Sequence, residues 1–316
     1  MKVIKNKGWV SVSIIMPCFN VASFIGEAIE SIIAQSHTDW ELIIIDDAST
    51  DETKQIINSY TDKRIRMINL PTNVGNYAAR NIGIKECKGK YIAMADADDV
   101  YQTDRIKLQY DYLESHEEIG GIGSNYYIMD EEGKIIREMK RACDNEDLKL
   151  HLLIDNYLLQ STLFVRKELL KKYSIRYDTK FHYASDYHFV FQCIKNFKII
   201  NIEKNLTNYR INKNGITSTK KIEQQSYASE IREQIIKFYF SSHLKNEQIV
   251  IFCSFLSPSF TTMSYNLTHL IACIQNAIDC NEKNKYFKQN MFINLLNNRL
   301  FYLFRNRSVF DFQSIT

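Results

Sequence analysis

The sequence predicts an α/β fold in which a mainly parallel central sheet is flanked by helices and followed by a mostly helical C-terminal extension. Three observations carry this. Short continuous apolar runs recur at 12–16, 41–45, 65–70 and 91–95, as expected of strands buried on both faces. Between them lie stretches with apolar residues at helical spacing, and strand alternating with helix at this pitch implies parallel strands joined by right-handed crossovers. Beyond about Ile222 the pattern becomes helical and rich in Asn, Lys and aromatics.

In chain order, the first strand ends at Pro17, and a helix over 22–34 places Phe24, Ile25, Ala28, Ile29, Ile32 and Ile33 on one side. The second strand runs into Asp46 and Asp47. Ser49 and Glu52 have the spacing of a capping box for a helix whose apolar side is Ile56, Ile57 and Tyr60. A third strand is closed by Pro71, a helix covers 76–87, and the fourth strand leads into Asp96, Ala97, Asp98 and Asp99. A helix over 103–116, a strand over 119–122 and a hairpin over 126–137 centred on 130–133 come next. A helix at 146–153, a strand at 161–165, a helix from Lys167 and an amphipathic helix at 185–196 with Asp186 in its first turn lead to strands at 198–202 and 206–210. The expected domains are 1–220 and a helical extension at 221–316.

Composition narrows the function. The 316 residues, 45% hydrophobic and 24% charged, suit a globular protein with a real core, and a formal charge of +3 gives no argument for nucleic acid as a partner. Seven scattered cysteines, without Cys-x-x-Cys or histidine at zinc spacing, are the usage of a reducing compartment. Lys2, Lys5 and Lys7 lead into a strand-like run cut by Pro17, not into the apolar core of a signal peptide, and the apolar stretch 249–256 is far short of the roughly 20 residues a bilayer needs. The expectation is a cytoplasmic protein, with any membrane contact peripheral. From Asn281 onward six basic residues (Lys283, Lys285, Lys288, Arg299, Arg305, Arg307) face two acidic ones (Glu282, Asp311). Phe287, Met291, Leu295, Leu296, Leu300, Phe301 and Phe304 fall between them at helical spacing. Such a stripe either packs on its own domain or lies on an anionic membrane.

Ligands of open α/β sheets bind beyond the carboxyl ends of the strands. Pro17, Asp47 and the acidic run all fall there. Three carboxylates within four residues repel one another and need a cation or water. Read alone, the run is either an acidic turn or a site for a hard divalent ion, Mg²⁺ or Mn²⁺, that bridges to substrate phosphates.

Five stretches in order, VSIIMPCFN (12–20), ELIIIDDASTD (41–51), NVGNYAARNIG (73–83), YIAMADADD (91–99) and SDYHF (185–189), resemble the family 2 glycosyltransferases, which have the nucleotide-diphosphosugar transferase (GT-A) fold. The resemblance covers about residues 10–215 and implies a nucleotide-binding half at about 10–100 and an acceptor half at about 101–220. It implies an inverting, metal-dependent hexosyl- or N-acetylhexosaminyltransferase. That enzyme would move a sugar from a nucleotide-diphosphosugar, most simply a UDP-sugar, to a hydroxyl of a growing surface glycan, free or lipid-linked. A homodimer and a position at the inner face of the cytoplasmic membrane are compatible with it.

By the same resemblance Pro17, Phe19, Asn20, Gly75, Asn76 and Ala97 line the donor site, and Asp47 accepts a hydrogen bond from the uracil imide. Asp51 fits a helix N-terminal charge better, and Asp46 suits either role. Arg80 lies by the nucleotide or serves as an ion-pair partner. Asp98 is the expected direct metal ligand and Asp96 a ribose or second metal contact, with Asp99 a further ligand or a helix charge. Asp186 is the expected general base, although an aspartate at a helix start is otherwise a cap. Ser185 stands where many relatives have a second acid. Arg210 and Lys213 match a segment that closes over the diphosphate, with Asn212, Lys213 and Asn214 where relatives often place histidine.

Two competitors share the fold. A sugar-1-phosphate nucleotidyltransferase needs a Gly-rich basic loop after the first strand, where Pro17, Cys18, Phe19 and Asn20 stand instead. A non-catalytic nucleotide- or carbohydrate-binding module would bind UDP without turnover. P-loop and dinucleotide-binding fingerprints are both missing.

Overall fold

The buried runs of the first hundred residues form the parallel part of one nine-stranded sheet. In the computed structural model, which describes residues 10–141, 143–213, 215–258 and 266–305, the chain separates into two units. The first comprises the chain up to Asn145 with Leu158–Lys221, and the second Glu146–Tyr157 with the chain from Ile222.

The first unit begins β1 (Val12–Cys18), α1 (Ala22–Ile33), β2 (Trp40–Asp46), α2 (Thr53–Asn58), β3 (Ile65–Asn69), α3 (Asn76–Glu86) and β4 (Tyr91–Met94). It continues β5 (Val100–Tyr101), α4 (Arg105–Ser115), β6 (Ile119–Met129), β7 (Ile135–Met139), α5 (Asn145–His151, which runs on into the second unit), β8 (Phe164–Arg166), α6 (Lys167–Lys172), α7 (Ser185–Ile194), β9 (Lys198–Arg210) and α8 (Ile216–Thr219). Strand order is β3-β2-β1-β4-β8-β6-β9-β5, with β7 paired to β6. The β3-β2-β1-β4 set is parallel, whereas β8 is antiparallel to both β4 and β6. Chain order runs outward from β1 to β3 and then returns through α3 to place β4 on the other side of β1. That reversal opens a crevice at the carboxyl ends of β1 and β4.

The geometry explains Pro17. Ile15 O accepts the Ala95 N–H and Cys18 O accepts the Asp47 N–H, both at 2.9 Å, so alternation turns the backbone of Pro17 toward β4. Pairing with β4 stops at Ile15 opposite Met94, and a missing N–H therefore breaks no ladder. β1 accordingly runs on to Cys18 instead of ending at the proline. α3 lies directly on the strands, because at Gly83 a Cβ would sit 2.5 Å from Ile15 Cγ2 and 2.9 Å from Ile45 Cδ1.

Other boundaries move for local reasons. Ser49 does not cap α2. Its hydroxyl accepts the Asn20 N–H at 3.0 Å, and Asp51 instead receives Thr53 N–H (3.0 Å) and Ala22 N–H (3.1 Å). The strands expected at 198–202 and 206–210 are one strand, β9, and the strand at 119–122 continues into the hairpin as β6. Register shifts near Asn125 interrupt the alternation in this pairing. Residues 160–162 form a 3₁₀ turn ahead of β8, and β5 is too short to show a period.

The second unit contains α9 (Lys221–Phe240), α10 (Asn246–Leu256), α11 (Leu267–Asn284) and α12 (Gln289–Arg305). It also includes most of the helix expected at 146–153, which the sequence assigned to the acceptor half. Phe240, Phe252, Phe287 and Phe292 are buried together, with Phe240 and Phe287 both stacked on Phe292 at 5.7 and 5.5 Å. The C-terminal stripe divides: Phe287 and Leu296 are core, whereas Phe301 and Phe304 are 66% and 50% exposed. Arg299 donates to Phe255 O (3.1 Å) and Ser257 O (2.6 Å), satisfying carbonyls at the end of α10. Arg307 and Asp311 lie outside the described residues, as do Lys2, Lys5, Lys7 and Asn214. None of the seven cysteines is joined in a disulfide. No helix among the described residues is long and apolar enough to cross a membrane.

Gly83→Ala should cost about 1–3 kcal/mol by overpacking α3 on the sheet. Gly26→Ala, where the nearest atom to the new Cβ is 3.5 Å away, should be neutral or stabilising by up to about 1 kcal/mol. Thermal unfolding of the two variants checks this difference.

Candidate active site

The carboxyl ends of β1, β2 and β4 and the start of α3 bring most of the expected residues to one edge. Asp47, 3% exposed, receives Val74 N–H on Oδ1 (2.7 Å) and Gly75 N–H on Oδ2 (2.8 Å). It thereby holds the turn that starts α3, in which Gly75 has φ 91°, a conformation that favours glycine. A base N–H would share the remaining lone pairs of this carboxylate. Asp46 is fully buried beneath, 3.3 Å from Lys54 Nζ. Asn20 accepts the Thr50 N–H at 2.8 Å and joins the loops after β1 and β2, leaving Phe19 48% exposed at the rim. Asn76, the first residue of α3, is partly exposed.

Arg80 is fully buried on α3, its Nη2 paired with the Asp96 carboxylate. Its Nε and Nη1 have no partner among the described residues. The Asp96 backbone is clasped by Tyr101, whose hydroxyl accepts its N–H (2.6 Å) and donates to its carbonyl (2.8 Å). Ala97 is buried in the turn. Asp98 is partly exposed, its Oδ2 accepting Asn212 Nδ2–H at 3.2 Å. Burial and the neighbouring Asp96 push its pKa up to about 6.

Two expectations change. Asp99 is fully buried and accepts from Ser161 Oγ (2.5 Å) and Arg210 N (3.0 Å), and α4 starts only at Arg105. It is therefore a buried tie between β4 and β9, well ahead of the start of α4. Burial, then Asp98 and Asp96, hold its carboxyl well above the usual range. Arg210 does not face the crevice as a free cation. Its side chain, 2% exposed, donates to the carbonyls of Asp98 (2.8 Å), Asp130 (3.3 Å) and Glu131 (2.7 Å) and pairs with Glu27. It fixes the loop that carries Asp98. Lys213 is 82% exposed and 3.3 Å from Glu131.

Asp186 lies in the first turn of α7, whose N-cap is Ala184, so it is not the cap. Its Oδ1 accepts a hydrogen bond from Tyr77 Oη at 2.9 Å. Ser185 is fully buried, its hydroxyl without a partner among the described residues. Tyr77 is the residue the sequence reading missed. The available signal was its place three and four residues before Arg80 and Asn81, on the same helix face.

Among the described residues no three His, Cys, Asp or Glu side chains converge to hold a metal by themselves. The donor set at the strand end is two carboxylates, Asp96 and Asp98. That fits an ion such as Mg²⁺, which keeps water and is completed by substrate phosphates, better than an all-protein cage.

Residues 13–191 match the sequence profile of glycosyl transferase family 2. The chain belongs to that family. It is 32% identical over 245 residues to an uncharacterized glycosyltransferase of Methanocaldococcus jannaschii, covering 75% of this chain and 80% of that one. The fold is similar to that of residues 1–349 of Staphylococcus aureus TarS, solved with UDP-GlcNAc, with a TM-score of 0.62 at 19% identity over 85% of this chain and 81% of that fragment. It is also similar to that of the mannosyltransferase PcManGT of Pyrobaculum calidifontis, solved with GDP-Man and Mn²⁺, with a TM-score of 0.55 at 15% identity over 93% and 86% of the two chains. At these identities the two structures establish the GT-A fold of this family 2 glycosyltransferase and no more.

As the clamp on this loop, Arg210 replaced by methionine (Arg210→Met) should lower stability by about 1–3 kcal/mol through the partly buried carbonyls left unpaired. Lys213→Met should leave the unfolding midpoint unchanged. Denaturant titration of both variants provides the check.

Proposed function

We propose that the chain is an inverting, metal-dependent glycosyltransferase that moves a hexose or N-acetylhexosamine from a UDP-sugar to a hydroxyl of a growing surface glycan. The observation that carries this is the convergence on one helix, α3, of the contacts to the strand-end carboxylates and to Asp186. Asp47 meets its start, Arg80 pairs with Asp96, and Tyr77 reaches Asp186.

Asp98 and Asp96 would hold the divalent ion, Mn²⁺ or Mg²⁺, which when bound supplies Lewis-acid neutralisation of the diphosphate. Arg80 holds the Asp96 carboxylate in place through their ion pair. Asp186 takes the proton of the acceptor hydroxyl as its oxygen attacks the anomeric carbon, and the bond from that carbon to the phosphate oxygen breaks on the opposite face. One displacement inverts the centre and leaves the nucleoside diphosphate. The support for a UDP-sugar is the motif resemblance and the TarS complex, whereas the mannosyltransferase complex makes GDP the nucleotide to test against it. The acceptor class rests on the motif resemblance. A lipid-linked acceptor suits the exposed Phe301, Tyr302 and Phe304 beside Arg305 on α12, which offer apolar and basic groups to a membrane surface.

Calorimetric titration with UDP, GDP, CDP and dTDP, each with Mn²⁺ and with chelator, tests the reading. UDP should bind selectively and in a metal-dependent way. Asp98→Ala should abolish the metal-dependent part while thermal unfolding stays cooperative. Binding of UDP without turnover of any UDP-sugar would instead favour a binding module.

A further inference from the structure

We infer that Tyr77 is a positioning residue for glycosyl transfer, its phenol hydroxyl fixing the orientation of the Asp186 carboxylate; this rests on the proposed role of Asp186 as base. The contact is a 2.9 Å hydrogen bond from Tyr77 Oη to Asp186 Oδ1. Burial, then the Asp186 charge, raise the phenol pKa well above its ordinary value, so at neutral pH the group remains a proton donor. A donor fixed on one carboxylate oxygen sets the plane of the group and with it the direction of the other oxygen.

The phenol is held in place from several sides. Tyr77 is 8% exposed, and its ring stacks on Tyr177 at 5.4 Å, which stacks in turn on Phe189 of α7 at 4.2 Å. One turn further along α3, Asn81 donates to Tyr177 O (2.8 Å) and accepts from Tyr177 N (2.9 Å). The three rings thus form a stack that ends on the same helix as Asp186. Ser185 bears on the same point. Its buried hydroxyl has no partner among the described residues, whereas the Tyr77 phenol from α3 donates to Asp186. Arg80 lies three residues after Tyr77 on α3 and pairs with Asp96, so one helix sets both the base and a strand-end carboxylate.

A satisfied buried hydroxyl would make the same contact without any catalytic consequence, and kinetics separate the two. Release of UDP is measured from whichever of UDP-glucose, UDP-galactose and UDP-N-acetylglucosamine the enzyme turns over fastest, using Tyr77→Phe, Asp186→Asn and the double variant. Tyr77→Phe keeps the ring stack and removes only the hydroxyl. It should lower kcat about 10- to 100-fold, the scale on which a misplaced group loses rate. Donor KM and UDP affinity should stay within about two-fold, which also shows that the variant is folded. Asp186→Asn should lower kcat at least ~10²-fold, and the double variant should be no slower than Asp186→Asn alone. Wild-type kcat in Tyr77→Phe, or an equal further loss in the Asp186→Asn background, would overturn the positioning role while leaving the base intact. Near-normal turnover in Asp186→Asn would remove the base and, with it, the proposal.

Discussion

The pairing of Arg80 with Asp96 is the constraint on which the site depends. A guanidinium with no exposed surface needs an anion, and an aspartate just past the end of β4 needs a cation, so each fixes the other and ties α3 to the strand end. The geometry follows from backbone contacts as much as from charge. Gly83 brings the helix onto β1 and β2, and Gly75 accepts the left-handed turn that lets its N–H meet Asp47. α3 is therefore seated at both ends before its polar side chains are counted.

The acidic run illustrates how a fold assigns different environments to identical side chains. Asp96 has its cation, and Asp99 is buried with hydrogen bonds from Ser161 and Arg210. Asp98 is left partly exposed, its pKa raised to about 6 by burial and by Asp96. A divalent ion would reverse that balance by favouring the ionised form. Arg210 stabilises the arrangement from behind, through the Asp98 carbonyl, and not from the crevice.

The alternating half of the fold was legible because each of its first four strands is a continuous apolar run followed by helical spacing. The acidic strand ends could be placed because carboxylates beyond buried strands have few alternatives. Less legible features share a cause: their partners are distant in sequence. Nothing near Arg210 announces Glu27 or the carbonyls at 130 and 131, and nothing near Asp99 announces Ser161. β6 and β9 were split because their pairing shifts register near Asn125. The capping box failed because Ser49 is engaged by Asn20 from another loop. In the C-terminal stripe, periodicity identified a helix with a buried side but assigned Phe301 and Phe304 to it, whereas Phe292 and Leu303 are buried instead. Tyr77 went unread because an aromatic early in a helix is ordinarily core, and only the fold brings α7 to its hydroxyl.

The central claim is that the edge formed by β1, β2, β4 and α3 is a metal-assisted nucleotide-sugar site. Anomalous diffraction at the manganese edge from crystals soaked with UDP and Mn²⁺ tests it most directly. One strong peak in contact with the Asp98 carboxylate is expected, with the nucleotide lying along the carboxyl ends of β1 and β2. A nucleotide bound elsewhere, or a metal peak away from Asp98, would contradict it.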